Sequence, residues 1–420
     1  MGQKMYFPIL TALSIFLYIP CISTVSIAIE KPNSKALFSL ALVYEHDKDL
    51  PNVELLKKMF TGTGVFTALI FQRPAPASSK VITEYLNYGC GVVLFISSDK
   101  DRISWRLYDA TQAQMLIGKT TGTEVTALTI RLVADAVFTY LFNQPSYFLT
   151  KIAYVKKSPT MRNFKKTEVC ILDPVDGTSR TIIKDSRILV APQWARPSAS
   201  DKKIWLTISE FTSSNVRLMG LDLDGHVWPI IDAPGTCVGV AQQDRDTFVY
   251  CRSGGIWLYT FDWHAKKGTH TRITHKNKVC GCPSLLSHGD IIYSCNGNIE
   301  RYNKETQQTT ILPLGGYVLS PDVHRATDNI LFSKKVQGVL QLFSTDVRGK
   351  SVTQLTYSPG DKVDASWSAC GNYIAYKRCF KGHEQIAIFN CMTGTEQIVT
   401  PEDQLCGYPT WSEPQPLLYG

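Results

Sequence analysis

Charge is scarce in this sequence. Of 420 residues, 19% are Asp, Glu, Lys or Arg, below the ~25% of an average globular chain. With 44% apolar residues beside it, that low charge excludes intrinsic disorder, which needs weak hydrophobicity and strong charge. Long apolar runs are also scarce. One uncharged stretch, at the N-terminus, is long enough to span a bilayer, so the chain is not a polytopic helical membrane protein. Catalytic signatures are missing. There is no Gly-x-Ser-x-Gly elbow and no His-Glu-x-x-His pair, which removes the α/β-hydrolase and zincin readings. Gly62-Thr63-Gly64 lacks a third glycine and follows a helical pattern rather than a strand, so it is no dinucleotide fingerprint. The net charge is +8, but the basic residues are scattered. Their densest group, Lys156, Lys157, Arg162, Lys165 and Lys166, reads as a solvated loop rather than a nucleic-acid patch.

The N-terminus reads as a targeting segment. Between Lys4 and Glu30 lie 25 uncharged residues, with an apolar centre at Ile9 to Ile19 and Pro20 behind it. Ser26-Ile27-Ala28 fits a small-x-small cleavage site. The expectation is a secretory signal peptide over residues 1–28, cut near Ala28; an uncleaved anchor helix is the alternative. Export implies an oxidising compartment. Eleven cysteines follow Cys21, so at least one stays unpaired or bonds another chain. Cys280-Gly281-Cys282 lies between His275 and His288. The single residue between the cysteines is short for zinc, which favours two to four, so ordinary half-buried thiols are the better reading.

Two textures follow. Residues 29–146 alternate strand and helix. Ala36 to Tyr44, Phe66 to Phe71 and Gly91 to Ser97 read as strands. One helix starts at Pro51-Asn52 with Leu55, Leu56, Met59 and Phe60 inward. Another starts at Ser78-Ser79 and carries Val81, Ile82, Tyr85 and Leu86. Ile103 to Tyr108 and Gln114 to Ile117 flank a turn at Asp109-Ala110-Thr111. Thr121-x-x-Glu124 reads as a capping box ahead of a helix bearing Leu128, Leu132, Val137 and Leu141. The order βαβαββα predicts a small α/β domain.

From residue 147 to 420 the pattern is repetitive. Short apolar strands ending in an aromatic recur at Tyr154, Trp205, Tyr250, Tyr293, Phe332, Tyr376 and Tyr419, with gaps of 51, 45, 43, 39, 44 and 43. A period near 44 is one four-stranded propeller blade. An inner element precedes most of them, as in Pro192-Gln193-Trp194, Leu319-Ser320-Pro321-Asp322, Ala365-Ser366-Trp367-Ser368 and Pro409-Thr410-Trp411-Ser412. A third strand ending in Asp-x-Gly or Thr-Gly follows, as at Leu221-Asp222-Leu223-Asp224-Gly225, which makes Asp222 and Asp224 hairpin residues rather than an acid/base pair. The repeat at Tyr154 has no inner element ahead of it, and Pro409-x-Trp411 near the C-terminus has no blade of its own. The two ends therefore share a blade and close a six-bladed ring; a seventh blade starting at Leu417-Leu418-Tyr419 is the alternative. The fold class is an α/β N-terminal domain followed by an all-β six-bladed β-propeller.

The repeat Pro-x-Trp-Ser, Gly, Ile-Ala-Tyr, apolar-Asp-x-Gly, Gln-Leu-Thr resembles that of the TolB propeller family. Ala134-Asp135-Ala136-Val137-Phe138 through Phe148-Leu149-Thr150-Lys151-Ile152-Ala153-Tyr154-Val155 is similar to that family's helix-to-blade joint. The resemblance implies a periplasmic, non-enzymatic adaptor of the Tol–Pal envelope system, without cofactor or metal, monomeric and peripheral to membranes. It would bind the peptidoglycan-associated lipoprotein Pal through the propeller and support outer-membrane integrity during cell division. In the family the extreme N-terminal segment engages TolA, which here falls on Ile29, Glu30 and Lys31. Several blades lack the family's Trp-Ser-Pro-Asp-Gly turn, and the inner element around Gly239-Val240-Ala241 is barely recognisable.

Loops on a rigid scaffold carry function. The loops leading into the inner strands share one face, and they place Arg187, Thr236, His275, Gly316, Asp361 and Gly407 there as candidate partner contacts. A propeller that binds peptidoglycan or another envelope ligand directly is the alternative, with Trp205, Trp257 and Trp263 available to stack on sugars. Trp205 and Trp257 also fit packing between blades.

Overall fold

The computed structural model describes residues 37–76, 78–99, 102–121, 125–157, 167–185, 188–195, 205–212, 215–231, 235, 237–244, 246–262, 264 and 267–415. The expected signal peptide, Ile29, Glu30, Lys31, Arg187, Thr236, Trp263, the Trp205 side chain and the Leu417-Leu418-Tyr419 strand lie outside the described residues. Residues Lys35–Gly420 form one compact unit.

The first part is an α/β layer. It runs β1 (Phe38–Tyr44), α1 (Leu50–Gly62), β2 (Phe66–Gln72), α2 (Ser79–Thr83), β3 (Val92–Asp99), β4 (Arg102–Asp109), β5 (Gln114–Thr121) and α3 (Ala127–Phe142). The sheet order is β2-β1-β3-β4-β5. β1 pairs in parallel with β2 and β3, and β3-β4-β5 is an antiparallel meander. β1 is an interior strand covered on both faces, which is why Leu40, Ala41, Leu42 and Val43 form an unbroken apolar run. Pro51 sits in the first turn of α1, where its missing N–H costs nothing. Asp109 holds the β4-β5 turn, its carboxylate accepting from the Thr111 and Gln112 amides at 2.7 and 3.1 Å.

Two expectations about helices need correction. The side chain of Ser78 does not cap α2. α3 is capped by Thr126, whose hydroxyl accepts from the Thr129 amide in a reciprocal box; Thr121 instead ends β5. The buried face of α3 is Ile130, Val133, Ala134, Val137 and Phe138, whereas Leu132 is exposed. The helix is apolar nearly all round, so periodicity discriminated poorly between its faces.

Six four-stranded sheets follow. Blade 1 joins the C-terminal Leu405–Trp411 to Ile152–Lys157, Thr167–Leu172 and Ser179–Asp185. The two ends of the propeller thus close the ring as the repeats imply. From inside outward, blade 2 is Ile188–Trp194, Trp205–Phe211, Val216–Asp222 and Val227–Ile231; blade 3 is Cys237–Gln242, Thr247–Arg252, Gly255–Asp262 and Lys267–Arg272. Blade 4 is Cys280–Leu285, Ile291–Cys295, Asn298–Tyr302 and Thr309–Ile311; blade 5 is Val318–His324, Asn329–Val336, Val339–Thr345 and Thr353–Gln354. Blade 6 is Asp361–Trp367, Tyr373–Phe380, His383–Asn390 and Thr395–Ile398.

The repeated aromatic has a physical reason. Tyr154, Tyr250, Tyr293, Phe332 and Tyr376 are buried in the second strand of their blades. A buried tyrosine needs a partner for its hydroxyl, and each finds one further out. Tyr154 meets Ser179 at 2.8 Å, Tyr250 meets His270 at 2.8 Å, Tyr293 donates to Glu300 at 2.9 Å and Tyr376 donates to Glu396 at 3.0 Å. Phe332, which has no hydroxyl, stacks on Phe343. Trp257 is half-buried and packs against the cluster of Leu218, Ile231, Val240, Phe248 and Tyr250, which spans blades 2 and 3.

Candidate functional site

The inner strands line a central channel with a cavity of about 630 Å³. Each carries one β-bulge, where the register against its neighbour shifts. At the bulge a residue adopts positive φ: Ala191, Gly239, Cys282, Ser320, Asp364 and Tyr408, with φ from 49° to 70° among them. Five of the six are not glycine, and L side chains rarely adopt this conformation. Proline follows four of them, at Pro192, Pro283, Pro321 and Pro409. All six line the channel.

The bulges re-aim the residues behind them into a belt. Ser284 accepts from the Val323 amide at 3.1 Å, Asp322 from the Trp367 amide at 2.8 Å and Ser366 from the Trp411 amide at 3.0 Å. Each bond runs from one blade to the next. Thr410 donates to Gln193 at 3.1 Å and the Trp194 indole donates to the Thr410 carbonyl at 3.0 Å, carrying the belt into blade 2. The Ser/Asp and Trp of the repeat therefore hold blade to blade rather than forming a reactive group. Burial raises the Asp322 carboxyl to about 6, against the opposing pull of the Trp367 and Val323 amides. At one sector Lys377 sits 3.4 Å from Asp364 and 5.5 Å over the Tyr408 ring.

The two ends of the channel differ. The hairpins between third and fourth strands are held by one Asp or Asn per blade, whose side chain accepts backbone amides. Asp173 takes Val175, Asp222 takes Asp224 and His226, Asp262 takes His264, Asn303 takes Thr306, Asp346 takes Arg348 and Lys350, and Asn390 takes Met392. The α/β layer docks at this end, on blades 1 and 6. The Thr63 carbonyl, just after α1, accepts from the Tyr373 hydroxyl at 3.1 Å and the Asn390 amide at 2.7 Å. Arg131 of α3 pairs with Asp173 at 2.8 Å, both groups buried, and Lys151 joins at 2.7 Å. One core cluster runs through both parts, from Leu56, Phe60 and Phe138 to Tyr154, Tyr373 and Trp411.

The opposite end is the open face. It holds the loops leading into the inner strands and the hairpins between second and third strands. In blades 3 to 6 those hairpins turn on Ser253-Gly254, Asn296-Gly297, Gln337-Gly338 and Lys381-Gly382, each pair with both φ positive, the geometry of two-residue type I′ turns. Val279, Tyr317 and Tyr357 stand 72%, 55% and 75% exposed, each shortly before an inner strand of blades 4, 5 and 6. The same end carries Arg252, Arg272, Lys276, Lys335, Arg378 and Lys381, together with Asp361, Glu384 and Glu402. Arg252 and Arg272 lie 5.1 and 5.7 Å from the Trp257 ring centre.

Four of the six candidate loop residues are described. His275 is an exposed loop residue whose carbonyl accepts from Arg272 at 3.2 Å. Gly316 is a turn residue with φ 72°. Asp361 opens the inner strand of blade 6 and accepts the Leu340 amide at 2.8 Å, so its carboxylate holds the neighbouring blade. Gly407 is not in a loop: it is buried inside the blade 1 inner strand, paired with Val155. The exposed Val279, Tyr317 and Tyr357 escaped the sequence reading, because a lone apolar residue in a loop has no periodic signal.

Cys280 is bonded to Cys295 in a disulfide across neighbouring strands. It is therefore unavailable as a zinc thiolate, and the bulge at Cys282 breaks the shared face of the two cysteines. Burial pushes the Cys391 and Cys406 thiols up to about 12, which leaves little thiolate at neutral pH; Cys406 is buried in the core and Cys391 packs partly buried against it. Asp222, Asp224 and His226 bring ligand atoms within 4.8 Å of one another, a proximity that hairpin capping by Asp222 explains.

The architecture defines a six-bladed propeller that carries an α/β layer on one end. No protein-family model matches the chain. Among solved structures, TolB from Acinetobacter baumannii matches with a TM-score of 0.74 at 18% identity, covering 90% of this chain and 97% of that one. A putative TolB from Agrobacterium tumefaciens matches with a TM-score of 0.45 at 15% identity, over 63% of this chain and 98% of its own. A chain of a nidogen/laminin complex reaches 0.50 at 11% identity over 63% of this chain and 99% of its own. The chain has the TolB fold, with propeller and α/β layer in the same chain order. Among the described residues no helix is long and apolar enough to cross a membrane.

Proposed function

We propose that this chain is an exported, non-enzymatic adaptor of the Tol–Pal type, acting in the periplasm. Its open face binds a Pal-like peptidoglycan-associated lipoprotein. Its N-terminal segment at Ile29, Glu30 and Lys31 engages TolA, linking the complex to the inner membrane and supporting outer-membrane integrity during division. The observation that carries this reading is the contrast between the ends of the channel. One carries the α/β layer, docked on blades 1 and 6, and the other presents Val279, Tyr317 and Tyr357 among charged and polar residues. Exposed aromatics ringed by polar groups fit a protein interface. The TolB fold supports the choice of partner, and the capping, belt and core roles found for the carboxylates and thiols above favour binding over catalysis.

The test is calorimetric titration with the soluble domain of the Pal-like lipoprotein from the same envelope. The expected result is a one-to-one complex tighter than about 1 μM, or roughly −8 kcal/mol. Tyr357→Ala is expected to weaken it by about 1–2 kcal/mol, the range of an interface aromatic short of a dominant hot spot. Absence of heat at about 100 μM with both proteins folded would sink the reading, and peptidoglycan fragments would be tried next.

A further inference from the structure

Several arginines of this chain are paired with carboxylates. Arg73 reaches Glu84 at 3.4 Å, Arg131 reaches Asp173 at 2.8 Å, Arg217 reaches Glu210 at 2.7 Å and Arg301 reaches Asp290 at 2.8 Å. Arg378 has no such carboxylate among the described residues, and it differs from the exposed arginines in bordering a pocket. It is half-buried on the second strand of blade 6, and its side chain has no hydrogen bond or ion pair with any described residue. Its guanidinium lies 4.7 Å from the Phe380 ring centre, and the Lys381 ammonium, unpaired in the same sense, lies 5.4 Å from that centre. The three residues border a pocket of about 360 Å³ together with His383, Ile398 and Glu402.

The nearby carboxylates are already engaged. Glu396 accepts from the Tyr376 and Ser358 hydroxyls at 3.0 and 2.6 Å. Asp361 accepts the Leu340 amide at 2.8 Å. Glu402, at the rim and 74% exposed, is turned to His383 at 3.4 Å. A further cation lies on the neighbouring strand, paired in register with Arg378. Lys362 is fully buried and directs its ammonium to the Ser358 and Gly360 carbonyls, the latter at 2.9 Å. The pocket thus holds an unused guanidinium fork and an unpaired ammonium. The Phe380 ring and Ile398, which is 46% exposed, supply apolar wall. A planar fork with free donors matches the oxygens of a phosphate, and a neighbouring ammonium supplies a second positive charge.

We propose that this pocket binds a phosphate monoester carrying a short apolar group. The phosphate oxygens take the Arg378 and Lys381 donors, and the apolar group lies on Phe380 and Ile398. Its side chains come from blade 6 and the connector after it, and Arg378 and Lys381 also belong to the face proposed above for the protein partner, so binding is tested on the chain without that partner.

The test uses the full exported chain and hexyl phosphate as probe, followed by calorimetry and by amide NMR shifts. Hexanol and inorganic phosphate serve as the apolar-only and anion-only controls. Saturable binding of hexyl phosphate is expected with a dissociation constant below about 1 mM, with both controls at least about tenfold weaker. Arg378→Gln is expected to weaken it about tenfold or more, the loss of a charge-assisted pair. Lys381→Gln, at an exposed hairpin position, keeps the test valid if Arg378→Gln fails to fold, and is expected to weaken binding severalfold. Sedimentation with phosphatidylcholine vesicles containing phosphatidate identifies the source. Arg378-dependent co-sedimentation assigns a lipid headgroup, and its absence beside hexyl phosphate binding assigns a soluble ester. No saturable binding of hexyl phosphate to the folded wild-type chain overturns the proposal. So does equal binding by folded Arg378→Gln and wild type.

Discussion

Asp322 gives the belt around the channel a measurable signature. Its carboxylate accepts the Trp367 amide of the next blade at 2.8 Å, and burial raises it to about 6, against about 3.9 in an unfolded chain. Because the folded value is the higher one, the native state holds this proton more tightly than the unfolded state between about pH 4 and pH 6. Stability from this group is therefore greatest below pH 4 and falls as pH rises through that window. A gap of about 2 pH units corresponds to about 3 kcal/mol at pH 7. The side chain borders a channel that admits water, so about 2 kcal/mol is the more realistic figure. Asp322→Asn keeps an oxygen for the Trp367 amide and removes the charge. Urea denaturation of both proteins at pH 4, 5, 6 and 7 should give nearly equal stabilities at pH 4, with the Asn variant ahead by about 2 kcal/mol at pH 7. A stability difference that stays constant across this range, or a variant that falls behind as pH rises, would refute the reasoning.

Three further outcomes are expected. Arg131→Met leaves Asp173 buried with Lys151 as its remaining cation and should cost about 3 kcal/mol in chemical denaturation; a cost under about 1 kcal/mol would mean that water reaches the pair. Cys280→Ser with Cys295→Ser opens a loop of sequence separation 15 and should lower stability by about 3 kcal/mol, with the disulfide confirmed by mass spectrometry under non-reducing conditions. Gly220→Ala would drive its new methyl into the Trp228 ring, and a loss of about 1–3 kcal/mol is expected from overpacking, read as a lower melting temperature.

Much of the architecture was legible in the sequence because propeller blades repeat. The 44-residue spacing, the aromatic second strand and the unmatched Pro409-x-Trp411 were sufficient for six blades and their closure. The Asp and Asn hairpin caps were legible as turn chemistry. The bulge ring was not: Cys282, Ser320, Asp364 and Tyr408 take left-handed backbone without being glycine, and the prolines after three of them were the sole local hint. The type I′ turns could have been found, since Asn296-Gly297 is a strong hairpin signal. The docking of Thr63 on Tyr373 and Asn390 joins residues more than 300 apart, which no local pattern encodes. Gly407 shows the reverse failure: glycine reads as a turn, yet here it sits in a strand beside the Lys377 side chain, where a larger residue would crowd it.

Hydrogen exchange on the chain with and without a saturating Pal-like lipoprotein domain tests most directly whether the open face is the binding face. New protection is expected in residues 273–279, 313–317 and 355–360, with the hairpins at Asp173, Asp222 and Asn390 unchanged. Protection confined to those hairpins, or to the outer strands of the blades, would contradict the assignment.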